Sequence, residues 1–80
     1  MYLSFNCKNG RYGILSGDLW VDDGLHCGQP LEVETPNGTI LTHLEMNMHG
    51  EWYLVGTDFV GEGLDYLRVH IPGKEDVVKY

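Results

Sequence analysis

The stretch "PLEVETPNGTILTHLEMN", residues 30 to 47, constrains the fold more than any other part of the chain. Leu31 and Val33 alternate with Glu32 and Glu34, the period-two pattern of a strand with one buried and one wet face. Beyond "PNG" the alternation resumes, with Ile40, Thr42, Leu44 and Met46 on one face and Leu41, His43 and Glu45 on the other. Asn-Gly between two such runs is a strong hairpin signal, because both residues tolerate the positive φ of a primed turn. The sequence therefore predicts an antiparallel pair with Asn37-Gly38 at its tip.

Three further segments carry strand patterns. "RYGIL" predicts a first strand from Arg11 to Leu15, closed by a turn at "SGD". "HGEWYLVG", residues 49 to 56, follows a turn whose special backbone positions are expected at Asn47 and Gly50. In it Trp52 and Leu54 point one way, Tyr53 and Val55 the other. One pair lines the core; the other is either covered by the loop after Gly17 or left as an exposed aromatic strip. "LDYLRVHIP" alternates Leu67, Val69 and Ile71 with Arg68 and His70, and Pro72-Gly73 ends it. Between Gly17 and Gly28 the chain is too short and glycine-broken for a helix; a long loop or irregular hairpin is expected, with Trp20 folding over one end of the core. The tail "KEDVVKY" suits one edge strand or one turn of helix.

At 80 residues the chain makes one domain, and a single core is only just large enough to hold it. Large apolar side chains in regular segments are therefore claimed first by the core, each contributing roughly 1.5–3 kcal/mol on burial. Eleven glycines mean frequent turns, which fits short strands better than long helices. The expected fold is all-β: a small five-stranded SH3-like antiparallel barrel, or failing that a strongly bent meander, in one domain over residues 1–80 with its strands between about 10 and 71.

The order "GRYGI", "GQPLEV", "GEWYLVG" and "EGLDYLRVHI" resembles family 5348 of the domains of unknown function, a family of small bacterial and mobile-element proteins. The resemblance spans roughly residues 10 to 71, and its most distinctive pieces are Trp52-Tyr53-Leu54 and the alternating Leu67 to Ile71. Two features depart from the family pattern: the segment from Gly17 to Gly28 is long, and His70 stands where an arginine is usual. The resemblance implies a β-rich fold and a prokaryotic or phage setting; it brings no activity, cofactor or catalytic residue.

Twelve acidic against five basic side chains give a formal charge of −7, and a surface of that sign repels phosphate backbones. Lys8, Arg11, Arg68, Lys74 and Lys79 are scattered, so direct DNA or RNA binding is disfavoured. The acidity serves solubility or attracts a basic partner. No stretch approaches the roughly 18 apolar residues of a membrane span, and "MYLSFNCKNG" has neither the basic head nor the apolar run of a secretory signal. Cytoplasmic placement is expected, with Cys7 and Cys27 as reduced thiols rather than a disulfide.

Candidate chemistry is sparse. The histidines and cysteines lack metal-ligand spacing, and Cys7, His26 and Cys27 meet only if the N-terminus folds over the long loop. Asp22-Asp23 and the pair Glu32 and Glu34 are the local carboxylate groupings; the latter share a strand face and suit a basic partner, a weak cation, or plain solvation. Ser4 and Ser16 lie in turn-like or terminal contexts, and Cys27 and His26 diverge in an extended chain, so no nucleophile is assembled. "GTDFVGEG" places Asp58 and Glu62 where a phosphate loop needs donors, and its glycines serve a turn. Neither catalytic nor metal-ligating residues are expected, and no cofactor. The residues proposed for partner contact are Trp20, Glu32, Glu34, Tyr53, Asp58, Phe59 and Val60, with Phe59 and Val60 at a loop tip. The expectation is a non-enzymatic protein-binding module, in concrete form a mobile-element accessory or anti-defence protein that engages a basic nucleic-acid-binding protein. The alternative is a self-associating domain, such as a homodimer, or a binder of a nucleotide or sugar.

Overall fold

A computed structural model describes residues 1–72 and has seven strands. They are β1 (Tyr2–Asn6), β2 (Arg11–Ser16), β3 (Leu19–Asp22), β4 (Pro30–Thr35), β5 (Gly38–Met46), β6 (Trp52–Leu54) and β7 (Val69–His70), with a 3-10 turn at Gly61–Leu64 before β7. All pairings are antiparallel, in two sheets ordered β1-β2-β3 and β6-β5-β4-β7. The tail "KEDVVKY" lies outside the described residues.

The segment before and within β7 joins the sheets. On one side, the Leu3 N–H donates to Leu67 C=O (2.9 Å), Tyr66 N–H to Leu3 C=O (2.8 Å) and Val69 N–H to Met1 C=O (3.0 Å). On the other, Glu34 N–H donates to Arg68 C=O at 3.0 Å. The result is one bent antiparallel surface, with Leu3, Ile14, Leu31, Val33, Leu44, Leu54, Leu64 and Val69 fully buried on its inner side. Tyr12, Leu25 and Trp52 complete the core.

All-β holds, but the five-strand count and the closed barrel do not. The N-terminal "YLSFN" is a strand, so the sheet begins at Tyr2 rather than near residue 10, and Leu3 pairs with Ile14 at the core's centre. "LWVD" is also a strand, returning from β2 through the predicted turn at Gly17. Among the described residues the surface stays open, since β3 and β6, at its two ends, do not pair with each other.

The central hairpin forms as its alternation predicts, with Leu31, Val33, Thr42 and Leu44 buried. Its tip differs by one residue. Thr35 pairs with Gly38, so Pro36 and Asn37 hold the central positions, and it is Gly38 that takes the positive φ, 120°. Proline's fixed φ suits the first central position, and the Thr35 hydroxyl caps the turn by accepting from Asn37 N–H at 3.2 Å. At the next turn Gly50 has the positive φ (78°), whereas Asn47 works through its side chain, Oδ1 accepting from the N–H groups of His49 (2.8 Å) and Glu51 (3.0 Å).

Residues 23–25 are tied down, not loose. Asn6 and Asn9 side chains both donate to Asp23 C=O (3.0 and 2.8 Å), and Leu25 N–H donates to Tyr12 C=O at 2.8 Å, which seats the Leu25 side chain in the core. Trp20 does not cover an end of the core. Its ring lies over Gly13 on the outer face of β2, 41% exposed.

Candidate functional site

The seven residues proposed from sequence do not form one site. Tyr53, Asp58, Phe59 and Val60 come together, with Asn47 and Thr57, around a shallow 340 Å³ depression. Two bonds fold this loop back onto β6: Thr57 Oγ1–H donates to Leu54 C=O (2.8 Å), and Leu54 N–H donates to Phe59 C=O (3.1 Å). Phe59 thereby packs against the core instead of standing at a loop tip, while Val60 bridges to Tyr53 and stays exposed. It is this loop, not the one after Gly17, that lies beside the outward face of β6.

Glu32 and Glu34 lie on the outer face of β4, where Glu32 pairs with His70 and Leu41. Glu34 Oε2 is 2.7 Å from His70 Nε2, so this carboxylate is engaged within the fold. Trp20 sits apart, on β3 between exposed Leu19 and Val21.

A second pocket, of 410 Å³, gathers residues that the sequence had not brought together. Its floor is aromatic: Phe5 from β1, Tyr12 from β2 and Trp52 from β6. Its rim is acidic: Glu51 before β6, Glu62 in the 3-10 turn and Asp65 just after it. Each aromatic is placed by strand alternation, since Phe5 and Tyr12 are directly paired across β1 and β2 and Trp52 is paired with Met46. The Phe5 and Tyr12 rings meet edge to face at 5.3 Å, a favoured aromatic geometry. Phe5 keeps 46% of its surface exposed, whereas Tyr12 and Trp52 are nearly covered.

Polar bonds from the floor hold the pocket's two sides together. Trp52 Nε1–H donates to Gly10 C=O at 3.1 Å. The Tyr12 hydroxyl lies 2.6 Å from Asp65 Oδ1 and 2.9 Å from Gly61 C=O. Burial, then the hydrogen bond and charge of Asp65, then the charge of Glu62, push the Tyr12 phenol well above its ordinary range. Asp65 reaches Tyr12 through a tight turn closed by Leu67 N–H to Leu64 C=O at 3.2 Å. Asp65 has φ −62° and ψ 126°, and Tyr66 has φ 66°, an arrangement in which glycine is usual at the second position. Tyr66 is the one non-glycine residue of positive φ among those described, and its ring rests 6.0 Å from Tyr2.

The arrangement presents carboxylate acceptors and ring surface at one opening. Among the described residues no three His, Cys, Asp or Glu side chains converge as a metal-binding group, Cys7 and Cys27 are separate exposed thiols, and no helix is long and apolar enough to cross a membrane.

A family model described as a domain of unknown function (DUF5348) matches residues 1–71. The chain belongs to that family. The match includes β1, which the resemblance read from residues 10 to 71 had left out. No curated protein and no solved structure matches the chain. The DUF5348 match therefore spans every strand described above, including all three that supply the floor of the aromatic pocket.

Proposed function

We propose that the protein is a non-enzymatic binding module that docks a basic segment of a partner protein. The observation supporting this is the lining of the 410 Å³ pocket, in which three carboxylates surround an aromatic floor and, among the described residues, no Lys, Arg or His contributes. The floor offers apolar area and ring faces, the rim offers acceptors, and the chain's charge of −7 raises the encounter rate with cations while repelling phosphate. A nucleic-acid-binding protein is the partner class of matching chemistry, since its phosphate-binding channel is positively charged. An accessory or anti-defence protein of a mobile element, occupying such a channel, is the concrete form of this reading.

Calorimetric titration of the full chain against a basic nucleic-acid-binding protein tests it. Binding that weakens with salt and is displaced by competing DNA is the expected result. No heat at low salt would end the proposal.

A second reading, self-association, has its own observation. Leu19, Trp20 and Val21 are 76%, 41% and 49% exposed on β3, which forms the edge of its sheet. Exposed apolar edges pair readily with other chains. Asp18, Asp22 and Asp23 flank this edge, so antiparallel pairing of two copies brings like charges together. A dimer that strengthens with salt in sedimentation would support this reading, and a monomer at all salt and protein concentrations would remove it.

A further inference from the structure

The pocket's hydrogen-bonding inventory is one-sided. The two side-chain donors of its floor are consumed internally, the Trp52 indole N–H on Gly10 C=O and the Tyr12 hydroxyl in its short contact with Asp65. What the rim presents is acceptors. Glu51 commits one oxygen to the Asn47 amide at 3.1 Å, and among the described residues the Glu62 carboxylate on the same rim makes no side-chain hydrogen bond. A ligand that satisfies this site brings several donors, a positive charge and an apolar face to lay on the exposed Phe5 ring.

Resting on the reading that the chain docks a basic segment, we infer that this pocket is a guanidinium-reading subsite that takes the side chain of an arginine. A guanidinium is planar, stacks on aromatic faces and carries its N–H groups in a fork that matches carboxylate geometry. It is also weakly hydrated, so laying it against Phe5 costs less desolvation than burying a lysine ammonium. A trimethylated lysine fits poorly for two reasons. It has no N–H for Glu51, Glu62 or Asp65, and cages for such groups enclose the cation with rings, whereas here the rings form a floor.

The test uses the full-length chain and three basic peptides that differ at one central position: arginine, lysine or citrulline. Affinity is read by calorimetry and location by the NMR shift of the Trp52 indole N–H. The arginine peptide is expected to bind about tenfold more tightly than the other two, with the Trp52 signal moving in proportion to occupancy. Phe5→Ala should erase the arginine preference. Glu62→Gln, an exposed and nearly isosteric change, should weaken arginine binding while leaving the spectrum of the free protein in place.

Equal affinity for arginine and lysine, or shifts confined to the Glu32 and Glu34 face, would overturn the subsite and leave the general binding reading standing. Failure of all three peptides to bind would overturn both.

Discussion

Gly13 offers a test of how closely β2 and β3 approach. A Cβ placed there would fall inside contact distance of the Asp22 backbone carbonyl and 2.8 Å from the Trp20 ring. Gly13→Ala therefore forces β3 outward or strains the bulge between Ile14 and Leu15, where the register with β3 already shifts. Over-packing of this kind costs about 1–3 kcal/mol. Gly13 has an ordinary negative-side φ, so alanine also restricts the unfolded chain and returns about 0.4–1 kcal/mol. The net expectation is a loss of roughly 1–2 kcal/mol, or about 5–15 °C in melting temperature for a domain this small. Circular dichroism melts, with urea titrations for the free energy, read it directly. The double mutant sharpens the argument. Trp20→Ala removes the ring but leaves the Asp22 carbonyl, so Gly13→Ala should remain destabilising in that background. An unchanged or raised melting temperature, or complete rescue by Trp20→Ala, would refute the close backbone approach.

Three other perturbations follow from the fold. Tyr12→Phe removes the hydroxyl from Asp65 and Gly61, with an expected loss of about 1–3 kcal/mol because one partner is a carboxylate. Because the folded phenol is held protonated above its usual pKa of about 10, the wild-type contribution is intact below that pH. Above it, the unfolded chain sheds its proton first and stability falls; urea titrations at rising pH should show this slope, and Tyr12→Phe should flatten it. Leu44→Ala opens the centre of the core opposite Leu54, at a cost of about 2–5 kcal/mol that approaches the whole stability of a domain this size; loss of NMR dispersion checks it, and Leu44→Met should remain folded. At the hairpin tip, Gly38→Ala should cost about 1–2 kcal/mol from its positive φ alone, since no atom of the described residues lies within 4 Å of the new Cβ. Asn37→Ala should change stability by under about 0.5 kcal/mol, and paired denaturation curves distinguish this turn from one centred on Asn37-Gly38.

The aromatic pocket also recasts the stretch "EWYLV". Strand alternation splits it into Trp52 and Leu54, which are buried, and Tyr53 and Val55, which are half-covered from outside. Trp52 is thus both a core residue and part of the pocket floor, which is why its place in the pocket could not be separated from its place in the core by pattern alone.

Local rules acting on adjacent residues fixed much of this protein in advance: period-two burial in Leu31, Val33, Thr42 and Leu44, the turns at Gly17 and Gly50, and the outward Glu32 and Glu34. "YLSFN" and "LWVD" escaped because their pairing with β2 is what stabilises them, and the latter keeps three apolar side chains exposed against the usual alternation. The site was harder still. Phe5, Tyr12, Trp52, Glu62 and Asp65 span sixty positions of the chain, and each taken singly reads as a core residue or a solvated charge. Only the bend that brings the first hairpin against β6 and the 3-10 turn turns them into one pocket, because side-chain proximity across sheets depends on the path of the backbone and not on spacing along it.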